Sequence, residues 1–87
     1  MDRVAAYAAL AAVLEEYRAR SFDELAVLIG SPPGVSAAQA GTESIDVEVR
    51  ITWEDRRKQA IRIEATANGP SCWRLERLEE SVVVTNR

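Results

Sequence analysis

Glu43-Ser-Ile-Asp-Val-Glu-Val-Arg-Ile-Thr-Trp53, followed after a charged gap by Ala60-Ile-Arg-Ile-Glu-Ala-Thr-Ala67, decides how this chain folds. In the first run Ile45, Val47, Val49, Ile51 and Trp53 alternate with Asp46, Glu48, Arg50, Thr52 and Glu54. Successive side chains of a strand point to opposite faces, so the alternation predicts an extended segment with one dry and one wet side. Ile61, Ile63, Ala65 and Ala67 alternate with Arg62, Glu64 and Thr66 in the same way. The two runs predict a hairpin from Glu43 to Asn68.

Charges select its register. With Trp53 facing Ile61, Ile51 meets Ile63, Val49 meets Ala65, Arg50 lies opposite Glu64 and Thr52 opposite Arg62. A slip of two residues sets Arg50 against Arg62 and Glu48 against Glu64, and like charges directly opposite are unfavourable. The preferred register leaves Asp55 to Gln59 as the loop. No Asn-Gly or Asp-Gly pair calls for a two-residue turn there.

Towards the amino terminus, Asp2 to Arg18 is rich in helix formers, with Ala at six positions and neither Gly nor Pro. Val4, Tyr7, Leu10, Leu14 and Tyr17 recur at three and four residues, with Val13 and the alanines widening the stripe. This predicts an amphipathic helix lying close to a sheet. Ser21 with Glu24 fits a capping box, and Phe22, Leu25, Leu28 and Ile29 supply an apolar face. A second helix is expected from Phe22 to Ile29, stopped by Gly30 and by Pro32 and Pro33.

Val35 to Gln39 reads as a short edge strand entering the long one through Gly41 and Thr42. The Asn68-Gly69-Pro70-Ser71 cluster reads as a turn ending the hairpin's second strand. Beyond it, a strand from Cys72 to Arg77 and another at Val82 to Val84 flank the polar Glu79-Glu80-Ser81. Helices followed by strands imply an α+β fold. The expectation is two amino-terminal helices packed on one face of a four- to five-stranded antiparallel meander. Its dry face would carry Ile45, Val47, Val49, Ile51, Trp53, Ile61, Ile63 and Trp73.

The chain has 87 residues, 47% hydrophobic and 29% charged, with a formal net charge of −3. That reads as a single globular domain, residues 1–87. The negative balance argues against non-specific binding to nucleic acid or an anionic membrane. Cys72 is the sole cysteine, which points to a reducing, cytoplasmic setting without disulfides. The apolar run Val4 to Leu14 continues into Glu15-Glu16 without a cleavage site and is too short to span a bilayer, so it reads as a core helix.

There is no His, which removes the commonest general base and metal ligand. Cys72 has no partner for a C-x-x-C site, and neither a Walker-type nor a G-x-G-x-x-G loop occurs. The carboxylate pairs Glu15-Glu16, Asp23-Glu24, Glu54-Asp55 and Glu79-Glu80 are sequence neighbours that diverge on a helix or strand. No catalytic residue, metal site or cofactor is expected.

Tyr17-Arg18-Ala19-Arg20-Ser21-Phe22-Asp23-Glu24-Leu25, then Leu28-Ile29-Gly30, Trp53-Glu54-Asp55 and Gly69 to Trp73, span most of the chain. This pattern resembles a group of small uncharacterised bacterial proteins in which a Y-R-S-x-S-[YF]-[DE]-E-L motif precedes a hairpin with a W-[DE]-D end. Ala19 replaces the group's small hydroxyl residue, and Arg56 to Gln59 replaces a glycine-rich turn. The resemblance implies no activity.

Two kinds of function remain. A non-enzymatic protein-binding or self-associating domain would use the mixed-charge face of Arg50, Arg62, Glu64 and Arg74 and the terminal strand Val82, Val83 and Val84, whose edge would pair into a homodimer. The alternative is a weak nucleic-acid or regulatory binder using Arg56, Arg57 and Lys58 with the wet-face arginines. Interleaved glutamates and the absence of exposed sheet aromatics disfavour it.

Overall fold

A computed structural model describes residues 3–40, 43–70 and 75–86. Helices α1 (Arg3–Arg18) and α2 (Phe22–Leu28) precede strands β1 (Gly34–Ala40), β2 (Glu43–Trp53), β3 (Ala60–Pro70) and β4 (Leu75–Thr85). The fold is α+β, and its sheet has four antiparallel strands in the order β1-β2-β3-β4. β1 and β4 are therefore the two edges.

The hairpin has the expected register: Trp53 faces Ile61, Ile51 faces Ile63, Val49 faces Ala65 and Arg50 faces Glu64. Its loop is built without a turn dipeptide. The Asp55 carboxylate accepts hydrogen bonds from the amides of Gln59 (2.9 Å) and Ala60 (3.1 Å), while Lys58 takes the left-handed conformation at φ 58°. Asp55→Ala should lower stability by about 1–2 kcal/mol, measured by urea denaturation, because two amides lose a charged acceptor.

Ile45, Val47 and Val49 of β2 and Ile61, Ile63, Ala65 and Ala67 of β3 form one buried cluster with Ala6, Leu10 and Leu14 of α1 and Leu25 of α2. The strand members are all odd-numbered and paired odd to odd, so they share a single face of the sheet. Ile51, Trp53, Leu78, Val82 and Val84 surround this core half-buried. Phe22 meets Trp53 with ring centroids 5.9 Å apart and planes tilted by 48°. Ala6, Ala65 and Ala67 are wholly buried, as a helix lying close to a sheet requires.

Several expectations are corrected. The buried stripe of α1 is Ala6, Leu10 and Leu14, whereas Val4 is 84% and Tyr7 40% exposed. Where the backbones approach closely a methyl fits and a large side chain does not, so the hydrophobic stripe read from bulk is rotated. α2 ends one residue early. Ile29 is already extended (φ −67°, ψ 133°), Gly30 has φ 89°, and the Ser31 amide bonds the Leu28 carbonyl at 3.2 Å. These are the marks of a type II turn, which needs positive φ at its third residue. Of the capping box only the hydroxyl half forms, with Ser21 Oγ accepting from the Glu24 amide at 3.2 Å. Gly30→Ala should cost about 1 kcal/mol or more in a urea melt, since an L-residue is strained at that φ.

β3 does not end at Asn68. It continues through Gly69 to Pro70, opposite Arg77, Glu76 and Leu75. The expected separate strands at 72–77 and 82–84 are one strand, β4, which passes through Glu79, Glu80 and Ser81 opposite Thr66, Ala65 and Glu64. Among the described residues the strands number four, the lower of the four to five expected. At a sheet edge, polar residues keep contact with water on either face, so this triplet does not interrupt pairing. Cys72 and Trp73 lie outside the described residues.

Candidate functional site

The outer face of the sheet, even-numbered on β2 and β3 and odd-numbered on β1 and β4, is assembled from rows fixed by register. Thr52, Arg62 and Val83 form one; Arg50, Glu64 and Ser81 the next; then Val35, Glu48, Thr66 and Glu79; and finally Ala37, Asp46, Asn68 and Arg77. This face carries the predicted Arg50, Arg62 and Glu64, and Arg74 lies outside the described residues.

Each of its described arginines pairs with a glutamate two residues away on its own strand. Arg50 pairs with Glu48 (3.5 Å), Arg62 with Glu64 (3.0 Å) and Arg77 with Glu79 (3.1 Å). Arg62 also reaches Glu54 at 3.4 Å, a partner that residue patterning did not single out. Arg62 Nε is shielded from solvent and lacks a hydrogen-bonded partner even though Glu64 Oε1 is 3.0 Å away. Distance is satisfied and alignment is not, so this contact is ionic. Exposed pairs of this kind contribute little to stability, but they lower the net positive potential that a polyanion would meet.

The hairpin tip differs. Arg56, Arg57 and Lys58 are exposed, and Lys58 Nζ lies 6.0 Å from the Trp53 ring. Among the described residues Arg56 and Arg57 have no ion pair, and on β4 neither has Glu80.

β4 has β3 on one side and, among the described residues, no strand on the other. Its valines do not act alike. Val82 and Val84 face Ile63 and Ile61 and pack half-buried against the core, whereas Val83 faces Arg62 on the outer surface and is 45% exposed. Beside it a polar depression of about 270 Å³ is lined by Arg62, Glu64, Glu79, Glu80 and Ser81. The tract Glu79-Glu80-Ser81, read from the sequence as a break, is thus part of this surface.

At the other edge β1 turns only small residues inward: Gly34, Ser36 and Ala38 oppose Val49, Val47 and Ile45. They leave a groove of about 300 Å³ between β1 and α1, lined by Val13, Glu16, Tyr17, Gly34, Val35, Ser36 and Val49. A β-carbon placed on Gly34 would sit 3.5 Å from the Tyr17 hydroxyl, an ordinary contact, and Gly34 does not have positive φ. Gly34→Ala should therefore raise stability by about 0.4–1 kcal/mol through the unfolded chain's lost freedom, read as a higher urea midpoint.

Among the described residues no group of three or more acidic or thiol side chains is gathered to hold a metal ion. Nor is any of their helices long and apolar enough to cross a membrane. Compared with protein-family models, with curated proteins and with solved structures, the chain matches none.

Proposed function

We propose that this chain is a non-enzymatic binding domain that associates with a protein partner, most simply a second copy of itself, through the β4 edge. The observation that carries the reading is that an edge strand of 11 residues ends in Ser81-Val82-Val83-Val84-Thr85, a tract without charge. Soluble proteins blunt exposed edges with charged residues, prolines or bulges, and a bare edge is a template for another strand. Arg77, Glu79 and Glu80 guard one half of β4; nothing charged guards the other.

The shared cluster of helix and strand residues supports placing both helices over the inner face, which leaves the edge and the outer face for contact. The lone Cys72 is consistent with a cytoplasmic, reducing setting. Sedimentation at rising concentration tests the reading: dimers should accumulate in the high micromolar range, and Val83→Lys should abolish them. A chain that stays monomeric throughout, with or without Val83→Lys, contradicts it.

The nucleic-acid alternative rests on Arg56, Arg57 and Lys58, which have no ion pair among the described residues. Glu48, Glu54, Glu64 and Glu79 pair with the outer-face arginines Arg50, Arg62 and Arg77. It would require a salt-dependent shift of mixed oligonucleotides that disappears when Arg56, Arg57 and Lys58 become Glu.

A further inference from the structure

We infer that two copies join β4 to β4 about a twofold axis at Val83, with the acidic half of each strand held by the partner's Arg56-Arg57-Lys58 loop. This rests on the self-association reading and assigns it a register. When two identical antiparallel strands extend one sheet, the axis is perpendicular to the sheet and passes through a residue that faces its own copy.

The choices along β4 can then be compared. An axis at Glu79 or Glu80 sets that carboxylate against itself. An axis at Ser81 places both Glu79 and Glu80 against valines, and an axis at Val82 still places Glu80 against Val84. An axis at Leu78 sets Glu76 against Glu80 on both sides. Only as the axis moves to Val83 do Val83 with Val83, Val82 with Val84, and Ser81 with Thr85 oppose one another, leaving Glu80 beside Asn86. β-Branched residues matched across a strand pair are favourable, and like charges so matched are not.

The same register predicts the electrostatics. Within one chain, Thr85 of β4 is level with Ala60 of β3, and the pairing steps along one residue at a time. The Asn86 amide bonds the Gln59 carbonyl at 2.7 Å, so, carried through the axis at Val83, Glu80 of one copy comes level with Gln59 of the other, beside the partner's Arg56-Arg57-Lys58 loop. The separation is two strand spacings, about 9.5 Å. Long arginine and lysine side chains cover most of that distance. Glu80 and the tip arginines, which have no ion pairs within a chain among the described residues, are thereby brought to the same end of the interface. The edge's uncharged half supplies the contact and its acidic half the orientation.

Single-cysteine variants Glu79→Cys, Ser81→Cys, Val83→Cys and Thr85→Cys, each in a Cys72→Ser background whose fold is checked by circular dichroism, test the register. All four positions are exposed. A disulfide needs α-carbons roughly 4.4–6.8 Å apart, so Val83→Cys alone should oxidise to a dimer, and mixing Ser81→Cys with Thr85→Cys should give the crossed product. Strongest self-crosslinking at 79 or 81, or equal yield at every position, overturns the register while leaving self-association standing. Absence of dimer by sedimentation overturns both. Glu79→Lys with Glu80→Lys should weaken association by about tenfold, and Arg56→Glu with Arg57→Glu should restore it; failure of the rescue removes the loop from the interface.

Discussion

Ile63→Ala is expected to lower the unfolding free energy by about 3 kcal/mol, within the range of about 2–5 for such truncations. Ile63 is wholly buried in β3, flanked by Ile51 on β2 and Val82 on β4. It lies in an inner strand of the sheet and within the cluster shared by both helices. Removing its branched end forfeits burial and leaves a void that neighbours on either side cannot all close. Since a domain of this size has a total stability of only about 5–10 kcal/mol, the urea midpoint should fall by roughly a third to three-fifths. Val4→Ala, on a side chain 84% exposed, should change stability by less than about 0.5 kcal/mol. A small loss at Ile63, or a large one at Val4, would place the core elsewhere.

Ala65→Leu should destabilise by about 1–3 kcal/mol although it adds apolar surface. Ala65 is wholly buried between Val49 and Glu80 on the inner face, where α1 lies against β3. Three added carbons must force the helix away or drive side chains from their rotamers. The same substitution at Ala8, on the exposed side of α1, should be close to neutral. A neutral or stabilising Ala65→Leu, again by urea denaturation, would mean that the helix stands farther from the sheet.

Period-two alternation made β2 and β3 legible, because each is half-buried and a one-residue slip would wet every isoleucine. The register was legible too, although for a reason only partly realised: Arg50 does stand opposite Glu64, yet its ion pair is with Glu48. What fixes the register is the joint alignment of Val49, Ile51 and Trp53 with Ala65, Ile63 and Ile61. The inner stripe of α1 was less legible because hydrophobic patterning weights bulk, and one of its wholly buried positions belongs to the small Ala6. β4 was read as two pieces because Glu79-Glu80-Ser81 lacks alternation, which an edge strand does not need. Of the candidate surface, Arg50, Arg62 and Glu64 fall on one face as expected. Only Val83 of the terminal valines is exposed there, since Val82 and Val84 turn to the core.

Val83→Lys and the cysteine scan perturb the edge; amide hydrogen exchange reads it undisturbed. Exchange should be followed across a range of protein concentrations spanning monomer and dimer. Outward-facing amides within Ser81–Thr85 should slow as concentration rises, while those of β1, the opposite edge, keep one rate throughout. Unchanged exchange along β4, or slowing confined to β1, would contradict association through the carboxy-terminal edge strand.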